Sequence, residues 1–306
     1  MDSSDSTTSG VTPSHFLPTW ARAIRLHQWV KNGLIFLPPA LGHAMLRPNV
    51  PGSAALAFLA FGLCASSVYL FNDLFDLEAD RAHPRKRFRP LAAGLISPRA
   101  AISVAIVLVL AGAAIAISVN MAFALVLAGY YAATWAYSLR LKRMALLDVM
   151  LLAALYTVRV IAGAVATDVP PSFWLLAFSV FFFLSLALIK RYAELVGTRG
   201  VTDYIAGRHR PYEPEDMPLI QSFGVASGYS AIVVIALYIN GPESQAIYHH
   251  HKPLWLICPL MLFWISRTWL LTSRGRMQDD PVVFAVRDPV SLVTLGLMVL
   301  IVLASV

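Results

Sequence analysis

The chain has 306 residues, of which 58% are hydrophobic and 13% charged, against about 45–50% and about 25% in soluble domains. That composition excludes a soluble globular protein, a disordered chain and a disulfide scaffold; Cys64 and Cys258 lie in apolar runs and read as small buried hydrophobes. The net charge of +7 admits nucleic acid, a membrane surface or a phosphorylated substrate as partner, and the placement of the charges decides among them.

Residues 1–21 open with a Ser/Thr-rich stretch and read as a disordered tail, with one transmembrane domain over 22–306. No cleavable signal peptide is expected. Nine apolar stretches follow, near 29–46, 52–71, 100–118, 120–137, 145–166, 171–189, 217–239, 253–271 and 289–306. The first is interrupted by Pro38 and Pro39, and the third and fourth meet at Val119-Asn120, which predicts a tight hairpin. All exceed strand length and none alternates as a barrel strand does, so the expected fold is all-α and polytopic, with nine transmembrane helices. With the N-terminus inside, 20 of the 24 Lys and Arg fall on the cytoplasmic side, and only Arg47 and Lys252 fall outside. The basic excess is thus mainly a topological signal, which points away from nucleic acid and toward a multi-pass membrane protein with its N-terminus inside.

The chemistry is concentrated directly after the second span, in Asn72-Asp73-Leu74-Phe75-Asp76-Leu77-Glu78-Ala79-Asp80. On a continuous helix Asp73, Asp76 and Asp80 share one face, with Asn72 beside Asp76. Aligned like charges destabilise a helix, so the stripe calls for a compensating cation, and a hard divalent ion with oxygen ligands, Mg2+ shared with substrate phosphates, fits. A basic loop follows at once, with Arg81, Arg85, Lys86, Arg87 and Arg89 bracketed by Pro84 and Pro90. Alone it would be a positive-inside loop; beside three acids it describes a diphosphate site, in which Mg2+ bridges phosphate oxygens and the cations take the remaining charge.

These residues carry a resemblance. The Asn-Asp-x-x-Asp-x-x-x-Asp pattern of 72–80 resembles the first aspartate-rich motif of the UbiA superfamily of intramembrane prenyltransferases, and Tyr137-Ser138-Leu139-Arg140-Leu141-Lys142 is similar to its Tyr…Lys element. Four segments, Gln28–Asn32, Asp80–Pro90, Arg159–Thr167 and Lys190–Leu195, resemble one branch, the decaprenyl-phosphate phosphoribosyltransferases, which some rhizobial nodulation proteins linked to arabinosylation of a signal molecule also resemble. The resemblance implies helices around a central cavity open to the cytoplasm, with the active site on that side. It implies a phosphoribosyl diphosphate donor, a polyprenyl phosphate acceptor and supply of an arabinose donor lipid for cell-wall or nodulation-factor glycosylation. Asp73, Asp76 and Asp80 would hold Mg2+, with Lys142 catalytic. Asn72, Lys31, Arg81, Arg85, Lys86, Arg87, Arg89, Tyr137, Arg159, Lys190, Arg191, Tyr192 and Glu194 would bind substrate.

One departure bears on the substrate. Ordinary prenyltransferases of the superfamily carry a second aspartate-rich motif after the sixth span, where this chain reads Lys190-Arg191-Tyr192-Ala193-Glu194. Two cations suit a substrate with an additional phosphate. Arg159, inside the fifth span, either holds the acceptor phosphate or forms an interhelical ion pair, with Asp148 as one partner. Arg267 reads as snorkelling to the membrane edge. Asp279-Asp280 either closes the site from the far side or is a solvated loop. His249-His250-His251 does not converge on one metal ion, and the aromatic run Phe173–Phe183 reads as packing. Two other functions compete: prenyl transfer from a polyprenyl diphosphate to an aromatic or other acceptor, and a non-enzymatic carrier or flippase for phosphorylated lipids.

Overall fold

The computed structural model describes residues 13–84, 86–197, 211–277 and 280–306. In chain order the helices are α1 (Pro13–Ala23), a 3-10 segment (Leu26–Phe36), α2 (Leu37–Leu41), α3 (Val50–Phe75) and α4 (Leu77–Ala82). These lead to α5 (Pro98–Val119), α6 (Met121–Leu139), α7 (Leu147–Thr167), α8 (Phe173–Val196) and α9 (Met217–Asn240). The chain ends in α10 (Pro242–Ile247), α11 (Ile257–Ser273), α12 (Pro281–Ala285) and α13 (Pro289–Ser305).

Among the described residues seven helices are long and apolar enough to cross a membrane: α3, α5, α6, α7, α8, and α9 and α11 with the 3-10 turns that precede them. α13 is a shorter apolar helix of 17 residues. Of the nine expected spans, seven are helices of spanning length among the described residues. The stretch 29–46 departs most: it forms the 3-10 segment and the five-residue α2. Pro38 and Pro39 supply no N–H for a helix running through them and instead occupy the first turn of α2. Residues 13–23, inside and just beyond the expected tail, are helical; residues 1–12 lie outside the described residues. Large apolar side chains such as Leu110, Leu125, Val293 and Leu300 stand exposed, as helices facing lipid require.

The chain divides into two compact units, residues 1–29 with 59–115, and residues 30–58 with 116–306. In the first, Leu70, Leu91, Ile96, Ala101 and Ala105 bury together with Ala23 of α1. The Trp29 indole donates to Ser66 Oγ (3.0 Å), which donates in turn to the Ile24 carbonyl (2.8 Å). Gly62 permits this, since a Cβ there would sit 2.6 Å from the Trp29 ring. In the second, α7, α8, α9 and α11 pack through Val160, Phe183, Leu188, Ile220, Ile265 and Trp269. Gly163 lets α7 meet the Ile35 carbonyl and Gly224 lets α9 meet Trp269, contacts that a Cβ at either position would occupy. The expected turn at Val119-Asn120 is present: Asn120 Oδ1 accepts from the Phe123 N–H (2.7 Å) and caps α6.

Candidate functional site

In the first unit the acid stripe does not ride on one continuous helix. α3 ends at Phe75, Asp76 is the junction, and α4 starts at Leu77. The break is slight, because the Asp76 N–H still bonds the Asn72 carbonyl (3.0 Å) and the Asp80 N–H bonds the Asp76 carbonyl (2.7 Å). Asp73 and Asp80 are buried, at 5% and 1% exposure, and Asp76 is half-buried.

Two buried carboxylates cost several kcal/mol each unless paired, and cations from three places pair them. Arg25 Nη2 donates to Asp73 Oδ1 at 2.6 Å while its guanidinium lies over the Tyr69 ring. Arg89 Nη1 bridges the two acids, at 3.1 Å from Asp73 Oδ1 and 2.6 Å from Asp80 Oδ2. Lys86 Nζ stands 3.6 Å from Asp80 Oδ1. That last oxygen is buried and accepts no hydrogen bond among the described residues.

Of the other cations in the loop, Arg81 is exposed, Arg87 lies over the Phe88 ring (4.9 Å), and Arg85 falls outside the described residues. No group of three or more His, Cys, Asp or Glu stands ready for one ion among the described residues. What the structure brings together is the pair Asp73 and Asp80, with Asp76 one helical turn from Asp80. The fit to a hard divalent cation is nonetheless good: the donors are oxygens only, and one buried carboxylate oxygen accepts no hydrogen bond among the described residues.

The second unit holds further polar clusters among the described residues. Asp280 accepts from Lys31 Nζ (2.7 Å) and from the Tyr156 hydroxyl (3.1 and 3.2 Å), stands 3.5 Å from Lys190 Nζ, and caps α12 through the Val282 N–H. Its side chain is 7% exposed, so the solvated-loop reading is corrected: the Asp-Pro step starts a helix and turns the carboxylate inward. Asp279 lies outside the described residues. Burial opposes the Asp280 charge, but Lys190, Lys31 and the hydrogen bonds from Lys31 and Tyr156 outweigh it and hold its pKa well below the usual carboxylate range.

A depressed carboxylate pKa contributes stability above the unfolded value of about 3.9 and loses it as pH falls through the folded value. The difference in melting temperature between wild type and Asp280→Asn, measured in detergent, should therefore stay constant between about pH 5 and 7 and narrow steadily below about pH 4. A difference that persists at the lowest pH would contradict the ion-pair account.

Arg159, at 6% exposure, does not meet Asp148. Its guanidinium donates to Asn32 Oδ1 (3.1 Å), the Leu155 carbonyl and the Tyr130 hydroxyl (2.7 Å). Asp148 pairs instead with Arg191, which also donates to Glu194 Oε2 and the Tyr137 hydroxyl, both at 2.6 Å. Tyr212 accepts from the Leu146 N–H (2.9 Å) and donates to Asp148 Oδ1 (2.6 Å); burial and that carboxylate raise its pKa. Tyr192 is buried edge-on against Trp269. Lys142 has no hydrogen-bond or ion-pair partner among the described residues, and Asn72 is half-buried. Arg267 is held bidentate by Asp288 at 2.7 and 3.0 Å, an ion pair rather than a snorkelling cation.

Arg25, Asn32, Tyr130, Tyr156 and Tyr212 were not legible as site residues. Asp280 was named in the sequence, with Asp279, as closing the site from the far side or as part of a solvated loop.

A helical chain with seven apolar spans and buried charge clusters is a multi-pass membrane protein. Comparison defines it further: the profile of the UbiA prenyltransferase family matches residues 36–287, and the chain belongs to that family, which implies a transferase. An uncharacterised Sinorhizobium fredii protein, y4nM, is 44% identical over 91% of this chain, which spans only 54% of that protein's length. The nodulation protein NoeC of Azorhizobium caulinodans is 35% identical over 90% of this chain and 89% of its own. The decaprenyl-phosphate phosphoribosyltransferase of Mycolicibacterium smegmatis is 41% identical over 60% of this chain and 59% of its own. Among solved structures, a UbiA homolog from Archaeoglobus fulgidus bound to DMAPP and Mg2+ superimposes with a TM-score of 0.69 at 18% identity, over 94% of this chain and 98% of that one. At that identity it shows a shared fold.

Proposed function

We propose that the chain transfers a 5-phosphoribosyl group from phosphoribosyl diphosphate to a polyprenyl phosphate, at the cytoplasmic side of a bacterial inner membrane, and so supplies an arabinose donor lipid for cell-wall or nodulation-factor glycosylation. The reading rests on one observation about charge. Among the described residues Asp73 and Asp80 form a buried acidic pair. Where ordinary members of the superfamily carry a second acidic motif, the chain has Lys190, Arg191 and a Glu194 already bonded to Arg191. The partial match to phosphoribosyltransferases supports the reading.

In this reading the ribose C1–oxygen bond to diphosphate breaks through an oxocarbenium-like state, and a lipid phosphate oxygen forms the new bond to C1. A Mg2+ ion held by Asp73, Asp76 and Asp80 would supply Lewis-acid stabilisation of the departing diphosphate. Arg89 and Lys86, already set against those carboxylates, neutralise phosphate charge, and Lys142 is a further candidate cation. Phosphate is an anion at neutral pH, so no general base is required, and none of the clusters provides a His–carboxylate dyad among the described residues.

Prenyl transfer is the competing reading, favoured by the Archaeoglobus fulgidus structure with DMAPP. Purified protein given Mg2+, polyprenyl phosphate, an aromatic acceptor, and both phosphoribosyl and prenyl diphosphates should yield a lipid whose mass equals polyprenyl phosphate plus phosphoribosyl. A prenylated acceptor in its place would overturn the proposal.

A further inference from the structure

Arg159 is a buried cation whose partners are all neutral. An amide oxygen, a backbone carbonyl and a phenol receive three of its five N–H groups, and the Tyr130 and Tyr156 rings lie 4.8 and 5.6 Å from its Cζ. No carboxylate pairs with it among the described residues. Burial of an uncompensated charge is costly, and such groups are ordinarily paired.

Asn32 shows a second, independent deficit. Arg159 fixes its amide orientation, because only Oδ1 can accept from the guanidinium. The Asn32 Nδ2 group is then left buried with no acceptor among the described residues, at 2% exposure for the residue. An orphaned buried donor costs about 1–3 kcal/mol, and here it is bonded to an unneutralised cation.

The surroundings carry the same sign. Lys31, next to Asn32, lies over the other part of the Tyr156 environment (5.7 Å to the ring) and within electrostatic reach of both Arg159 and Lys190. Of these three cations, Lys31 and Lys190 share the carboxylate of Asp280, and Arg159 is not bonded to it. Lys31 and Asn32 are themselves presented by an 11-residue 3-10 segment, a conformation seldom sustained beyond three or four residues.

We propose that Arg159 and Asn32, with Lys31, form a binding site for a phosphate monoester. The anion supplies what both lack: a negative charge for the guanidinium and an acceptor for the amide. The proposal rests on the reading above for its choice of ligands, since both the polyprenyl phosphate acceptor and the 5-phosphate of the donor are monoesters. Its chemistry does not require the transfer itself.

Asn32→Asp provides the test, because it installs in the protein the charge that the ligand would bring. Full-length protein in nanodiscs is titrated without Mg2+ and with chelator, using polyprenyl phosphate, ribose 5-phosphate and polyprenol as probes, with melting temperature and Kd as readouts. Wild type should bind a monoester and not the alcohol. Asn32→Asp should melt at or above the wild-type temperature without ligand, yet bind at least tenfold more weakly. A merely structural role for Asn32 would not raise stability while lowering affinity.

A response confined to polyprenyl phosphate assigns the site to the lipid head group, and one confined to ribose 5-phosphate assigns it to the soluble substrate. If Asn32→Asp fails to fold, Asn32→Leu is read for the same loss of affinity. Folded wild type that binds neither monoester, or folded variants with wild-type affinity, would overturn the site. Binding that persists in protein yielding no phosphoribosyl lipid would overturn the reaction and leave the site standing.

Discussion

Asp80→Asn is expected to lower phosphoribosyl transfer by about 10²–10³-fold or more, the range seen when one preorganised electrostatic contact to a developing charge is removed. The substitution keeps the side-chain shape and hydrogen-bonding capacity toward Arg89, so the fold should survive: Arg89 retains Asp73 at 3.1 Å. What is lost is the negative charge on a carboxylate whose Oδ1 has no hydrogen-bond partner among the described residues. Asp76→Asn is expected to cause a loss of similar size, since Asp76 stands one turn before Asp80 and neighbouring turns bring such side chains within about 5–6 Å at Cβ. The two variants also carry a metal readout. Wild type should show a rise in melting temperature with Mg2+ plus diphosphate that Asp80→Asn loses. Wild-type turnover in Asp80→Asn, with the ligand-induced rise intact, would remove the metal assignment.

The sequence expresses its long-range order unevenly. Spanning helices follow from local composition, and the starts of α12 and α13 have a local cause as well: Asp280-Pro281 and Asp288-Pro289 each place a carboxylate where it accepts from the first turn. The acid stripe was legible because three aspartates in eight residues are rare beside an apolar run. The break at Asp76 was not, since it is a slight departure in backbone angle that leaves the i→i+4 bonds in place. The segment 29–46 looked like a span by hydropathy, yet its polar pair, Lys31 and Asn32, is committed to residues 249 and 127 positions away. Periodicity reports which face of an element is buried and is silent on what that face meets. For the same reason the sequence alone offered Arg159 as either a phosphate ligand or an ion-pair partner, and Arg191 as a substrate cation after the sixth span. Only the fold separates them: Arg191 meets Asp148 and Glu194, whereas Arg159 meets neutral groups.

That separation has a large thermodynamic consequence for the second unit. Asp148 and Arg191 are both essentially without solvent exposure, and removing one partner of such a pair costs about 3–5 kcal/mol because the other stays buried and uncompensated. Asp148→Leu should therefore rank among the most destabilising single changes in the chain. It strands the Arg191 Nε and deprives the Tyr212 hydroxyl of its acceptor, and so loosens the tie between Leu146 at the start of α7 and Tyr212 ahead of α9. Arg191→Met should cost a comparable amount by leaving the Asp148 charge with only Tyr212.

The double variant is decisive. With both charges gone, the helices need no internal ion pair, and the combined loss should fall short of the sum of the single losses by about 0.5–3 kcal/mol, the usual range for residues sharing one network. Unfolding by a graded denaturing detergent, followed by helix signal, measures all three. Strict additivity would mean that Asp148 and Arg191 act independently. A non-additive result would place Arg191 in the scaffold, beneath the site rather than in it. Lys190, 34% exposed and sharing Asp280, would then be the cation at this end of α8 available to a phosphate.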